Sequence, residues 1–278
     1  MPDWTWDETL FAGSAKYYDF GRLPYAPGLA EALAESLNLD GTGRLLDLGC
    51  GPGTIALKVA HFFEEVVGLD ADRDMLAQAE RLAAERGVAN ARWVHLRAED
   101  LPGNLGTFRV ITFAQSFHWM VRDQVAAAML AMLEPGGAAV HVDSRAQNGV
   151  APPPDAQFPG QPEAAIAELV RAYLGPERRA GQGIRNASPG DEDEVLRWAG
   201  FVGPDVVVVP DGRLLERSVD EVVAERFSSS GSAPHLFRDR MPQFEADLRR
   251  LLLAESPAGR FCVQLPDNQL KIWRPTLS

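Results

Sequence analysis

The chain has only two cysteines, Cys50 and Cys262, among its 278 residues, too few for a disulfide scaffold in a chain of this length. Both are read as reduced thiols. It lacks any run of 18 apolar residues, so no membrane-spanning helix is expected. The first residues, Met1-Pro2-Asp3-Trp4, are acidic rather than a basic stretch leading into an apolar run. No export leader is therefore expected, and the cytoplasm is the expected compartment. Basic residues are in deficit, 27 against 39 acidic ones, for a net charge of −12. The acids are dispersed, and long-range repulsion of a polyphosphate disfavours nucleic acid as substrate. No His, Cys, Asp and Glu cluster has zinc-like spacing, so no metal is expected.

What is present begins at residues 45–54, Leu-Leu-Asp-Leu-Gly-Cys-Gly-Pro-Gly-Thr. An apolar strand runs into a glycine-rich turn whose Gly49, Gly51 and Gly53 let a ligand approach the backbone N–H groups closely. Asp47 stands two residues before the first glycine. A dinucleotide fold usually reads G-x-G-x-x-G, with its third glycine where Thr54 stands here. A pyrophosphate favours a turn free of acids, whereas the ammonium of an amino-acid-bearing nucleoside is attracted by Asp47. The expected ligand is S-adenosylmethionine, leaving S-adenosylhomocysteine as product.

With this turn, Gly68-Leu69-Asp70, Ala98-Glu99-Asp100-Leu101-Pro102, Ala114-Gln115-Ser116-Phe117-His118-Trp119 and Leu133-Glu134-Pro135-Gly136-Gly137 follow in order. In these segments the chain resembles the class I, Rossmann-like, S-adenosylmethionine-dependent methyltransferases, in the branch that includes the ubiquinone-biosynthesis and trans-aconitate methyltransferases. The resemblance covers roughly residues 10–145 and is looser beyond.

Strands are expected at Arg44–Leu48, Val66–Asp70, Arg92–Leu96, Arg109–Ala114 and Ala138–Asp143. Helices are expected at Thr54–Phe63, from Asp72 or Asp74 to Glu85, and at Asp123–Leu133. This alternation predicts an α/β fold with a doubly wound, mainly parallel sheet. Residues 145–190 are rich in Pro, Gly and Gln, punctuated by Ala151-Pro152-Pro153-Pro154, with one helix at Glu163–Tyr173. A helix at Asp191–Ala199, a sixth strand at Asp205–Val209, helices within 219–254 split by Ser228-Ser229-Ser230-Gly231, and a last strand at Gln269–Trp273 complete the reading. The expected architecture is one domain, 1–278. It has N-terminal lid helices in 1–40, a cofactor-binding core in 41–144, a helical insertion after strand five in 145–254, and a C-terminal strand in 255–278. The sheet has seven strands with a reversed final hairpin.

The acid ending the second strand, Asp70, lies 21 residues after Gly49, where a carboxylate can accept both ribose hydroxyls; the plain alternative is a helix cap. By the resemblance, Ala71 and Met75 lie beside the adenine, with core packing as the alternative for Met75. The resemblance also puts Ala98 and Glu99 on the adenine edge, with Ala114 and Gln115 on the cofactor wall. Many relatives have Asp where this chain has Arg97, so the adenine contact is expected to fall on Glu99; otherwise Glu99 and Asp100 are solvated loop acids. The stretch Tyr17-Tyr18-Asp19-Phe20-Gly21-Arg22-Leu23-Pro24-Tyr25 resembles a lid, in which Tyr18 and Arg22 are cofactor candidates and Arg22 meets the methionine carboxylate. Its alternative is an amphipathic helix with ordinary packing tyrosines.

Methyl transfer needs alignment and exclusion of water, and a base only where the nucleophile must lose a proton. His118 is the candidate base, or else a lining residue, and Phe117 and Trp119 flank it as a stacking wall for the acceptor. His141 falls inside a strand and reads as structural. His235, with Phe237 and Arg238, is a candidate for substrate contact, or else a helix-start residue. The leading function is methyl transfer to a small-molecule acceptor, with aromatic, enolic or carboxylic groups as candidates. The alternatives are a protein that binds S-adenosylmethionine without transferring methyl, and an NAD(P)-dependent oxidoreductase, disfavoured by Asp47 and Thr54.

Overall fold

A computed structural model describes residues 7–144, 149–177, 179–180, 183–184 and 191–276. The reading of Met1 to Trp4 and parts of the 145–190 stretch lie outside the described residues.

Strand β1 (Arg44–Leu48) alternates its side chains between two apolar layers. Leu46 and Leu48 enter one core and Leu45 the other. Because side chains in a strand alternate faces, Asp47 falls on the Leu45 side. Helix α3 (Thr54–Val59) covers that side with Ile55, Ala56 and Val59, and a 3-10 turn at Ala60–Phe62 closes it. Strand β2 (Glu65–Asp70), helix α4 (Arg73–Glu85) and strand β3 (Ala91–His95) follow. Asp72 caps α4, its carboxylate accepting from the N–H groups of Asp74 and Met75 at 2.8 and 3.2 Å. Then come β4 (Phe108–Ala114), α5 (Arg122–Met132) and β5 (Leu133–Ser144).

The seven-stranded sheet has the order β3-β2-β1-β4-β5-β11-β8, where β8 is Phe201–Val209 and β11 is Asn268–Pro275. Strands β1 to β5 are parallel, and β11 runs antiparallel to both its neighbours. Chain order reverses between β1 and β4, and open α/β sheets place ligands at the carboxyl ends beside such a switch point.

The last antiparallel pair is not a tight hairpin. Between β8 and β11 lie β9 (Leu214–Ser218), α8 (Val219–Phe227), α9 (Pro234–Phe237), α10 (Met241–Glu255) and β10 (Arg260–Gln264), with β9 and β10 forming their own antiparallel pair. The helical additions are thus divided. Helices α6 (Glu163–Leu174) and α7 (Glu192–Ala199) follow strand five, with the short pair β6 (Arg179–Ala180) and β7 (Gly183–Ile184) between them; the rest follow strand six. A separate core of Phe227, Phe237, Phe244 and Phe261 holds this cap together, with Phe237 stacked on Phe244 at 4.0 Å.

Two N-terminal helices, α1 (Ala15–Gly21) and α2 (Leu29–Leu37), behave differently. Helix α2 packs Leu29 and Leu33 into the sheet core. Helix α1 belongs to the cap: Tyr17 packs on Phe227 at 5.1 Å, Ser14 donates to the Phe227 carbonyl at 2.7 Å, and the buried Arg217 donates to the Gly21 carbonyl at 2.7 Å. Gly21 leaves no room for a Cβ, which would overlap the Ala224 backbone.

Candidate functional site

A crevice opens at the carboxyl ends of β1, β2 and β4, in two adjoining halves that share Phe11, Tyr18, Gly49, Gly51, Gln115 and Trp119. One half runs past Asp70, Ala71, Met75, Ala98 and Glu99. The other runs past Asp47, Arg22, Tyr25 and His118 toward the cap residues Ser229 and Ser230. Ala114 lines both.

The three glycines of the turn all have positive φ, 62° at Gly49, 54° at Gly51 and 78° at Gly53, but for different reasons. A Cβ on Gly51 would meet nothing within 4 Å, so its missing side chain leaves open crevice. A Cβ on Gly49 would come within 2.6 Å of Ser116, whose hydroxyl donates to the Leu48 carbonyl at 2.7 Å. Gly53 lines neither half. It begins α3 in the left-handed conformation, and its Cβ would press into the Trp93 ring at 2.6 Å. That ring also occupies the space left by Gly68, its register partner across β2 and β3. Gly53 therefore serves the turn and the packing of Trp93.

Asp47 is buried, accepting from the Thr112 hydroxyl at 2.8 Å and from the Ala56 N–H at 3.2 Å. Burial outweighs these bonds and pushes its pKa up to about 7. Asp70 accepts the Gly51 N–H on one oxygen at 2.7 Å and the Asp72 N–H on the other at 2.9 Å. Burial again dominates, raising it to about 6. Each Asp70 oxygen keeps a lone pair for a further donor. Capping of α4 belongs to Asp72 instead.

Glu99 is not a solvated loop acid. Its Oε1 accepts the Val121 N–H at 2.9 Å and its Oε2 lies 3.4 Å from Arg97 Nε. The carboxylate therefore holds the loop before α5 while lining the crevice, a commitment its local sequence does not disclose. Gln115 has φ +55°, a strained conformation for a residue with a side chain, and its amide donates to Asp143 at 3.1 Å.

Of the tyrosines, Tyr18 lines both halves and Tyr25 lines one, while Tyr17 packs inside the cap. The Arg22 guanidinium lies 4.9 Å from the Tyr18 ring centroid and donates to the Ser228 carbonyl at 2.8 Å, tying crevice to cap. Burial, aided by Tyr18 and Asp47, pushes the Tyr25 hydroxyl well above its usual pKa, so it stays protonated.

In the half that runs to the cap His118 and Trp119 line the crevice, the two rings 4.9 Å apart, and Phe11 meets Trp119 edge-on at 6.2 Å. Phe117 does not line it. The 3-10 turn at Phe117–Trp119 points that ring inward, where it is buried on Phe113 at 4.9 Å. His235 does not line it either; at the start of α9 its Nδ1 lies 3.2 Å from the Ala12 carbonyl. Arg238 is exposed and Phe237 is cap core. His141 stacks on Phe113 at 5.0 Å inside β5, and burial lowers its pKa. Phe11, Trp93, Thr112 and Ser116 escaped the sequence reading; only Ser116 stood inside a quoted motif.

Among the described residues no group of three or more His, Cys, Asp or Glu is arranged to hold a metal ion, and no helix is long and apolar enough to cross a membrane.

The family model described as "Methyltransferase domain" matches residues 45–137, the span from β1 to the start of β5 that builds the crevice floor. Residues 45–137 thus carry a methyltransferase domain. The uncharacterized methyltransferase YcgJ of Bacillus subtilis is 37% identical over 75 residues, 27% of this chain and 30% of that protein. Its solved structure superposes with a TM-score of 0.52 at 19% identity, covering 90% of this chain and 98% of YcgJ. The tRNA 5-carboxymethoxyuridine methyltransferase of Escherichia coli K12 is 31% identical over 97 residues, 34% of this chain and 37% of that protein. A methyltransferase from Geobacter sulfurreducens, solved in complex with S-adenosyl-L-homocysteine, gives a TM-score of 0.50 at 18% identity over 96% of this chain and 97% of its own. The sequence matches to YcgJ and to the Escherichia coli enzyme span well under half of those two proteins. The family model thus covers the crevice floor, and the cap lies outside its residues 45–137.

Proposed function

We propose that this chain is an S-adenosylmethionine-dependent methyltransferase whose acceptor is a small molecule. The observation that carries it is the pairing of Asp70 with Gly51. A buried carboxylate with spare lone pairs stands beside a backbone position whose absent side chain leaves open crevice. That arrangement fits a ribose held by Asp70 and a nucleoside lying over Gly51, with Ala71, Met75, Ala98 and Glu99 around the base and Asp47, Tyr18 and Arg22 around the amino-acid end. When bound, S-adenosylmethionine supplies an electrophilic methyl on a positively charged sulfur. The chain's task is then to orient the acceptor along the far half of the crevice and to keep water out. Trp119, Phe11 and the cap residues Ser229 and Ser230, which line that half, support this task.

The net charge of −12 supports a small acceptor over RNA, because it repels a phosphate backbone at long range. The two free, buried thiols support the cytoplasm as the compartment. The test is thermal stabilisation by S-adenosylhomocysteine but not by NADH, followed by transfer of labelled methyl to a panel of hydroxylated and carboxylated small molecules. Absence of stabilisation by S-adenosylhomocysteine overturns the proposal; stabilisation without any transfer leaves a binding protein.

A further inference from the structure

Beside His118 lies a carboxylate from a distant part of the chain that does not itself line the crevice. Glu192 is the first residue of α7, which is anchored in the sheet core by Val195 and Leu196. Asp191 caps the helix by accepting the Asp193 N–H at 2.9 Å, so the turn carrying Glu192 is fixed from both ends. One Glu192 oxygen lies 4.0 Å from His118 Nδ1 and the other 3.6 Å from His141 Nδ1. Only about a fifth of the Glu192 side chain is exposed (21%). A carboxylate so shielded interacts with a neighbouring imidazole more strongly than one on the surface.

The two imidazoles are not equivalent partners. His141 is buried in β5 against Phe113, which disfavours its charged form. His118 lies at the crevice wall, where water and ligand reach it. Burial is the largest influence on Glu192 and raises its pKa; of the charges facing it, Arg122 from α5 and Lys271 from β11 favour its ionised form, and Asp143 from β5 and Asp193 from α7 oppose it. Lys271 is itself partnered by Asp193 at 3.4 Å. Of the two imidazoles, His118 is the one to which Glu192 can usefully lend charge.

We propose that Glu192 is a positioning residue for His118. Its carboxylate, 4.0 Å from Nδ1, favours the tautomer protonated there and leaves Nε2 to face the crevice, as base for an acceptor whose nucleophile is a hydroxyl or an acidic carbon. A carboxylate that accepts from one imidazole nitrogen fixes the tautomer in which the other bears a lone pair. The proton of the acceptor's O–H or C–H passes to Nε2, the electron pair it leaves behind becomes the attacking pair, and His118 later returns the proton to water. This assignment rests on the methyltransferase reading and narrows its acceptor to molecules that must lose a proton.

The test is nitrogen NMR of the full chain labelled in its five histidines and saturated with S-adenosylhomocysteine, with the His118 signals identified by their loss in His118→Asn. In the native protein the neutral His118 ring carries its proton on Nδ1. In Glu192→Gln its pKa falls by about one unit and the tautomer preference is lost, and Glu192→Asp restores part of both. A neutral His118 protonated on Nε2 in the native spectrum overturns the proposal without any variant, as does a titration identical in native protein and Glu192→Gln. A chain that S-adenosylhomocysteine does not stabilise overturns the methyltransferase reading instead, which separates the two failures.

Discussion

Asp70 Oδ2 accepts the backbone N–H of Gly51 at 2.7 Å, joining the acid that ends the second strand to the middle glycine of the first turn. The two positions that the sequence places 19 residues apart are one structural unit, and a ligand held by either is held by both. Asp70→Ala therefore removes more than a ribose acceptor, because the Gly51 and Asp72 N–H groups also lose their partner. Affinity for S-adenosylhomocysteine should fall by about 2–3 kcal/mol in calorimetry, with a drop in Tm of the free protein, since a charged acceptor and two bonds are lost. Asp70→Asn, which keeps one acceptor oxygen, should recover much of the Tm and little of the affinity. Unchanged affinity in a folded Asp70→Ala protein removes the ribose assignment.

Gly51→Val should abolish binding while leaving a soluble fold. A Cβ there meets no protein atom within 4 Å, so the only thing displaced is the ligand, and the positive φ adds strain of about 1–3 kcal/mol. Circular dichroism should be unchanged, and the thermal shift produced by S-adenosylhomocysteine should vanish. Normal binding by this variant would show that the turn serves the fold alone.

The raised pKa values of Asp47 and Asp70 make the free site pH-sensitive. Their folded values, about 7 and about 6, lie above the ordinary carboxylate range, so the folded state holds protons that the unfolded state has lost. Stability of the free protein should consequently fall as pH rises from about 4 to 7. A ligand bringing an ammonium and ribose hydroxyls favours both ionised carboxylates. The thermal shift given by S-adenosylhomocysteine should therefore grow from pH 5.5 to pH 8, as Tm of the free protein declines. A ligand shift independent of pH across that window contradicts both assignments.

Much of the floor was legible because its signals are local. The apolar alternation of Leu45, Leu46 and Leu48, the glycines after it, and the acid closing the next strand each declare themselves within a few residues. What stayed hidden depends on contacts across the fold. Gly53 and Gly68 are small because Trp93 lies over both, and Phe117 turns inward because Phe113 waits beneath it. Glu99 is committed to Val121, 22 residues on, and Glu192 reaches His118 from a helix 74 residues away. The β9–β10 pair was missed because its strands, separated by three helices, carry no hairpin turn between them.

Gly21→Ala tests the attachment of the first helix to the cap. The added methyl would overlap the Ala224 backbone, which cannot yield as a flexible side chain does. Overpacking of this kind costs about 1–3 kcal/mol. The Arg217 bond to the Gly21 carbonyl and the Arg22 bond to Ser228 should loosen with it. Tm should fall, and affinity for S-adenosylhomocysteine should weaken because Tyr18 and Arg22 ride on this segment. A drop in Tm with affinity unchanged would detach the segment from the cofactor.

The last prediction concerns His118, whose ring lines the acceptor half of the crevice between Trp119 and Glu192. With an acceptor found in the labelled-methyl screen, His118→Asn should lower the rate of methyl transfer by about 10²-fold or more, the usual contribution of a general base. Affinity for S-adenosylhomocysteine should stay within a few-fold, because Asp70, Ala71, Met75, Ala98 and Glu99, in the half of the crevice that His118 does not line, are untouched. In the native chain the rate should rise with pH as the imidazole becomes neutral, and the variant should lack that limb. The Glu192 carboxylate favours the charged imidazole, so in Glu192→Gln the limb should move to lower pH while the plateau falls. A parallel loss of cofactor affinity and rate would place His118 on the cofactor wall instead. No change in either would mean that the acceptor arrives deprotonated or finds its base in the cap.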